Sequence, residues 1–281
     1  STIVFRHRFD FYRLDVARRQ APEKLELWDE SDPRIAGIER RTLATASEVA
    51  FSSDGLEVAF IAGGDLWVMD TVLREPRQVT RTAEEERDPV FSPDGSSIYF
   101  VSDQEGQSDI WRAERARPGD YWWRNDRFNL QRVTQDQAVE QDLQWSPDGR
   151  RLAFVKGRGD LWTIDADGGN AQRVRAGWSA PQYEWSPDGK WLVYGTRKDG
   201  VTALKLVDLA SGDERVLVDA VDRDNMEGTP TRDYLPGASF TPDSRALVAS
   251  YRGKFWRVEV ADGRATPIPF TADVDIGLGP L

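Results

Sequence analysis

The chain has no cysteine, which excludes disulfides, thiol chemistry and Cys-ligated zinc. It has one histidine, His7, in Phe5-Arg6-His7-Arg8. A Ser–His–Asp arrangement needs a histidine base, and His7, between two arginines at the end of a predicted strand, reads as a rim residue instead. Calcium takes only oxygen ligands, but no Asp-rich loop has EF-hand spacing. No catalytic residue, cofactor or metal is therefore expected. Basic residues are also short: Lys and Arg number 37 against 48 Asp and Glu, giving a formal charge of −11 and a pI near 4.8. That balance argues against counterion-release binding to nucleic acid and against docking on anionic lipid. It favours solubility and cationic partners. No apolar run approaches the roughly 18 residues that a membrane helix needs. The chain opens Ser-Thr-Ile, without Met or a signal-peptide pattern, and reads as a mature product or an excised piece. Both the bacterial periplasm and the cytoplasm stay open as compartments.

What the chain has in plenty is one repeated phrase. It reads FSSDG at Phe51–Gly55, FSPDG at Phe91–Gly95, WSPDG at Trp145–Gly149 and again at Trp185–Gly189, and FTPDS at Phe240–Ser244. Pro presets φ for the second position of a β-turn, Asp bonds its own backbone, and Gly accepts positive φ. Each copy therefore ends one strand and starts its antiparallel neighbour. Five copies in 281 residues mean a repeat architecture.

Around each phrase lie four predicted strands. One precedes the turn, as in Asp88-Pro89-Val90-Phe91. A second follows it, as in Ser97-Ile98-Tyr99-Phe100-Val101, with consecutive apolar residues that imply cover on both faces. A third opens with Asp, an aliphatic residue and an aromatic, as at Asp65-Leu66-Trp67, Asp109-Ile110-Trp111 and Asp160-Leu161-Trp162. A fourth ends in Val-Thr, at Arg77–Thr80 or Gln131–Thr134. Four short antiparallel strands per repeat form the blade of a β-propeller. The phrase aromatics stand 40, 54, 40 and 55 residues apart. A blade needs about 40–45 residues, so the two long intervals carry loop insertions.

The chain begins in mid-repeat, since Thr2-Ile3-Val4-Phe5 matches a second strand and Asp10-Phe11-Tyr12 a third. The first blade thus lacks its innermost strand, and the tail Thr271–Leu281 has the size to supply it. The expectation is one all-β domain over 1–281: a six-bladed propeller of four-stranded antiparallel blades. One blade is shared between about 1–28 and 271–281, so that the C-terminal strand closes the ring. A monomer is expected.

The phrase followed by Asp-aliphatic-aromatic resembles the propeller repeat of TolB and of tricorn-type proteases, over essentially the whole chain. The blades from Ile3 to about Tyr194 look most like tricorn-like propellers. Asp224–Gly237 and Phe270–Val274 look similar to TolB-like propellers fused to amidohydrolases. Natural divergence and a designed or chimeric joining of two propellers both fit that change of flavour. In these families the chemistry sits in a separate domain, and no segment here matches one. The resemblance implies a module that binds or gates peptides and proteins and is not itself an enzyme. An excised scaffold without a ligand, or an enzyme using channel carboxylates, are the weaker readings.

Two groups of residues are candidate binding sites. Three residues before the turn aromatic stand Glu48, Asp88 and Asp142, with Asp273 and Asp275 in the tail. On equivalent innermost strands these would line part of a channel, either as a site for a basic peptide, amine or cation, or as a hydrated mouth with turn-capping carboxylates, the simpler reading. The second group lies in the loops. Tyr121-Trp122-Trp123 in one insertion would grip a partner or fold back to cap a blade. Arg232 and Tyr234, in another, would contact a partner or order their own loop through an Arg232–Asp233 pair. The Asp that opens each third strand reads as a strand-start hydrogen-bond acceptor.

Overall fold

In the computed structural model the described residues are 2–7, 10–16, 21–26, 42–135, 137–157, 159–176, 179–198, 201–223 and 238–272. They form antiparallel β-sheets with no α-helix among them. Two compact units divide the chain, Ser1–Val139 and Glu140–Leu281.

The first unit opens with a three-stranded sheet of β1 (Thr2–His7), β2 (Asp10–Asp15) and β3 (Glu23–Leu25). The strand that would complete it was expected from 273–281, which lies outside the described residues. A four-stranded meander follows, β4 (Glu48–Phe51), β5 (Glu57–Ala62), β6 (Asp65–Asp70) and β7 (Arg77–Gln78). Then comes another, β8 (Glu86–Phe91), β9 (Ser97–Ser102), β10 (Asp109–Arg115) and β11 (Phe128–Arg132). The second unit holds three such meanders. These are β12 (Glu140–Trp145) to β15 (Gln172–Arg175), through β13 (Arg151–Lys156) and β14 (Asp160–Asp165); β16 (Ser179–Trp185) to β19 (Glu214–Arg223), through β17 (Trp191–Lys198) and β18 (Val201–Asp208); and β20 (Ala238–Phe240) to β23 (Ala265–Ile268), through β21 (Ala246–Tyr251) and β22 (Lys254–Glu259).

The turn phrase joins the first two strands of each four-stranded sheet, and its polar residues are consumed there. The Gly95 N–H donates to the Ser92 carbonyl at 2.8 Å, closing the turn with Gly95 at φ +69°. The Ser92 hydroxyl donates to Asp94 Oδ1 at 2.6 Å, and the Ser96 N–H donates to the same oxygen at 3.0 Å. The pattern returns at Ser52/Asp54, Ser146/Asp148, Ser186/Asp188 and Thr241/Asp243. All five carboxyls are held below the ordinary Asp range, chiefly by that hydroxyl. The third-strand aspartates tie the third strand to the fourth. Lys24 pairs with Asp10 at 2.7 Å, Gln78 Nε2 donates to Asp65 at 2.7 Å, Arg132 pairs with Asp109, and Arg173 pairs with Asp160 at 3.5 Å.

Within each unit the cores lie between neighbouring four-stranded sheets. In the four-stranded sheets the second strands are largely buried, and every residue of β9 is, whereas β1, read as the second strand of its repeat, exposes Ile3 and Val4. Ala59, Ile61 and Val68 meet Ile98, Phe100 and Ala113 across the β4–β7 and β8–β11 sheets. In the second unit, Ala153 and Val155 pack with Leu192 and Val207, and Leu204 and Leu206 pack with Leu247 and Ala249.

Candidate functional site

Three leading strands, β8, β12 and β16, carry an irregularity, and in β8 and β12 it falls at the candidate carboxylate, whereas β4, with Glu48, pairs in continuous register. Pairing of β8 with β9 shifts between Arg87 and Val90, and pairing of β12 with β13 shifts between Gln141 and Gln144. Within those bulges Asp88 has φ +51° and Asp142 has φ +58°. Asp tolerates the left-handed region better than most residues, and a bulge re-aims the side chain it carries. Residues held in such backbone are found at functional sites when their surroundings fix them. β16 shifts register in the corresponding stretch, between Ser179 and Tyr183.

Polar links join neighbouring leading strands within each unit. In the first, the backbone N–H of Asp88 donates to the Glu48 carboxylate. In the second, the Tyr183 hydroxyl donates to the Asp142 carbonyl at 2.6 Å, and Gln144 Nε2 donates to the Tyr183 carbonyl at 3.1 Å. The Ser239 hydroxyl donates to Glu184 at 3.1 Å, and burial pushes the Glu184 carboxyl above its ordinary range. Glu48, Asp88 and Asp142 are half-buried. Asp273 and Asp275 lie outside the described residues, as do Arg232 and Tyr234. Among the described residues no group of three or more His, Cys, Asp and Glu side chains could hold a metal ion.

The aromatic insertion, residues 116–127, turns back across the first unit. Trp122 is only 1% exposed. Its ring stacks on Phe128 at 5.8 Å, meets Phe91 edge-on at 6.1 Å and lies under the Arg115 guanidinium. Its indole N–H donates to the Gly95 carbonyl at 3.0 Å. Trp123, half-buried, receives Arg77 Nε on its carbonyl at 3.0 Å and donates its N–H to Glu57 at 3.3 Å. Glu57 and Arg77 belong to the neighbouring sheet, so the insertion bridges β4–β7 and β8–β11. Tyr121 is exposed.

Sequence reasoning did not single out the buried glutamates or a cleft in the second unit. Glu86, 1% exposed, accepts hydrogen bonds from Thr80, Thr82 and Ser102, and burial pushes its carboxyl up. Glu140, also buried, is the equivalent residue of the next repeat and faces Lys156 at 3.8 Å. The signal was a glutamate five residues before the turn aromatic in consecutive repeats. The cleft, of about 580 Å³, opens between β12–β15 and β16–β19 and is lined by Arg151, Gln172, Arg173, Trp185, Gly189 and Val207 among others. Its volume is within the usual range for ligand pockets.

The meanders, their turn chemistry and their structural neighbours define the class: the fold is that of the TolB-like and tricorn-like β-propellers. The TolB of Acinetobacter baumannii matches over 94% of this chain and 61% of its own, with a TM-score of 0.55 and 18% identity. The tricorn protease matches over 91% of this chain and 23% of its own, with a TM-score of 0.55 and 14% identity. An oligogalacturonate lyase of Vibrio parahaemolyticus matches over 95% and 73%, with a TM-score of 0.56 and 12% identity. No protein-family model matches the chain. In sequence, the uncharacterized peptidase YuxL of Bacillus subtilis is 29% identical over 63% of this chain and 25% of its own length. An uncharacterized protein of Agrobacterium fabrum is 27% identical over 46% of each. The chain thus spans about a quarter and just under half of the curated relatives that it matches. No helix among the described residues is long and apolar enough to cross a membrane.

Proposed function

We propose that this chain is a non-catalytic propeller module that binds or gates cationic peptide segments, and that any chemistry belongs to a domain outside it. In this reading the sheets are blades of one six-bladed, monomeric ring, closed by 273–281 pairing with β1. The observation that carries the reading is the pair of left-handed bulges at Asp88 and Asp142. Two repeats place a carboxylate on the same left-handed step of the leading strand, and a bulge re-aims the side chain it carries. The formal charge of −11 adds a field that draws cations. The peptidase name of the Bacillus relative is consistent with a propeller set beside a catalytic domain, since the match spans a quarter of that protein.

Calorimetric titration with an Arg- and Lys-rich peptide tests this. One-to-one binding is expected, weakening as salt rises from 50 to 500 mM because charge pairing is screened. Asp88→Asn with Asp142→Asn is expected to weaken it about tenfold. No heat of binding at low salt, or full affinity in the double variant, would refute the reading. Ring closure has its own test: removal of 273–281 is expected to broaden thermal unfolding, and an unchanged melt would refute it.

A further inference from the structure

The cleft in the second unit sits where the first unit receives Trp122. Four residues around the Trp122–Trp123 turn have counterparts at the cleft through strand register and the turn phrase, while Arg115, which covers the indole, is replaced there by Leu209. Gly95, whose carbonyl accepts the Trp122 indole N–H, corresponds to Gly189. Phe91, edge-on to the same ring, corresponds to Trp185. Glu57, which accepts the Trp123 N–H, corresponds to Arg151. Arg77, which donates to the Trp123 carbonyl, corresponds to Gln172, because Val68 pairs with Arg77 as Thr163 pairs with Gln172. In the first unit residues 116–127 connect β10 to β11 and fill the place. In the second, residues 209–213 turn directly from β18 to β19 and leave it open.

We propose that this cleft binds a peptide segment of another protein that presents an aromatic residue next to an acidic one. The aromatic follows from the template, since the same scaffold position one sheet-pair away encloses an indole. The acidic flank follows from the substitutions between the two places. Glu57 is replaced by Arg151 and Gln78 by Arg173, a gain of three positive charges, while Arg77 gives way to Gln172 and Arg115 to Leu209, a loss of two, so the cleft is more positive than the first place by one charge. The aspartates at the cleft do not alter this difference, because Asp148, Asp188 and Asp208 stand where Asp54, Asp94 and Glu114 stand at the first place. Asp148, Asp188 and Asp208 each accept the backbone N–H of a residue in their own turn, from Arg150, Lys190 and Ala210. Arg173 is half-exposed at the rim and pairs with Asp160 through Nη1 at 3.5 Å. An incoming carboxylate has a cation to meet there. This site is separate from the leading-strand carboxylates and does not depend on their role.

The test uses the full chain and a fluorescein-labelled peptide copying residues 118–125 with glutamate in place of Arg124. Saturable anisotropy is expected. Alanine in place of the peptide's copy of Trp122 is expected to weaken binding at least about tenfold, as loss of a central aromatic anchor does. Arg173→Glu in the protein is expected to weaken the glutamate peptide about tenfold and to favour a version carrying lysine there. Arg173→Gln gives the same reading without charge reversal should the first variant fail to fold. Asp88→Asn is expected to leave the affinity unchanged, which separates this site from the one above. No saturable binding, equal affinity for the alanine peptide, unchanged affinity in both Arg173 variants, or loss of binding in Asp88→Asn would overturn the proposal.

Discussion

Replacing Trp122 with alanine asks whether the 116–127 insertion holds the first unit together. The indole is 1% exposed and is enclosed by Phe91, Phe128 and the Arg115 guanidinium. Large-to-small changes of a buried tryptophan cost about 3–5 kcal/mol, the upper part applying where the site cannot collapse. Collapse is restricted here, because the sheets on both sides are fixed by their own strand pairing and Trp123 is still pinned to Glu57 and Arg77. The Gly95 carbonyl also loses its indole donor, a bond worth about 1 kcal/mol within that total. A loss of about 4 kcal/mol is expected. With a urea m-value of about 2–3 kcal/mol/M, the midpoint of the transition should fall by about 1.3–2 M. Tyr121→Ala is the control on the same turn. Tyr121 is exposed, so its loss should stay within about 0.5 kcal/mol. Trp122→Phe keeps most of the ring but not the N–H and should fall between them. If Trp122→Ala shifted the midpoint no more than Tyr121→Ala, the claim that this insertion is a clamp between sheets would fail.

Three further outcomes follow from the backbone and the turns. Asp54, Asp94, Asp148, Asp188 and Asp243 have carboxyls depressed in the folded state, so their contribution is fully present above the unfolded value of about 3.9 and is lost as pH falls through the lower folded values. Scanning calorimetry should therefore show a melting temperature steady with respect to these groups near neutrality and falling below about pH 4, with a shallower fall in Asp94→Asn; identical acid limbs would count against this. At the left-handed Asp88, glycine should be tolerated or stabilising while Asp88→Val should cost about 1–2 kcal/mol, and equal melting temperatures for the two variants would remove the argument from strain. A Cβ on Gly263, at φ +73°, would stand 2.7 Å from the Leu217 carbonyl oxygen, so Gly263→Ala should lose about 1–3 kcal/mol by urea titration; a neutral result would show that the two loops part easily.

Much of the sheet structure was legible because the turn phrase is local chemistry. Ser92, Asp94 and Gly95 close their turn with bonds spanning only a few residues, so the sequence carries the whole instruction. The third-strand aspartates were legible for the same reason, one strand pair apart. The fate of Trp122 was not. Whether an aromatic in an insertion faces solvent or a neighbouring sheet depends on Gly95, Glu57 and Arg77, and the last two lie in the preceding repeat. The bulges at Asp88 and Asp142 were half-legible: the residue type marked the position, but nothing local announces that the backbone there takes positive φ. The cleft was illegible, being defined by a short connection where another repeat has a long one. Comparing the 209–213 and 116–127 connections after aligning the third strands would have found it.

The link from third strand to fourth has a bearing on how such chains change over time. Asp10, Asp65, Asp109 and Asp160 keep their identity, while their partners are Lys24, Gln78, Arg132 and Arg173. The outermost strand is therefore held by a fixed acceptor and an interchangeable donor. Single-codon drift among lysine, glutamine and arginine can alter the charge of one sheet's outer edge without unfastening it. Each of these four repeats can thus acquire its own surface, one edge at a time, while the rest of the fold stays as it was.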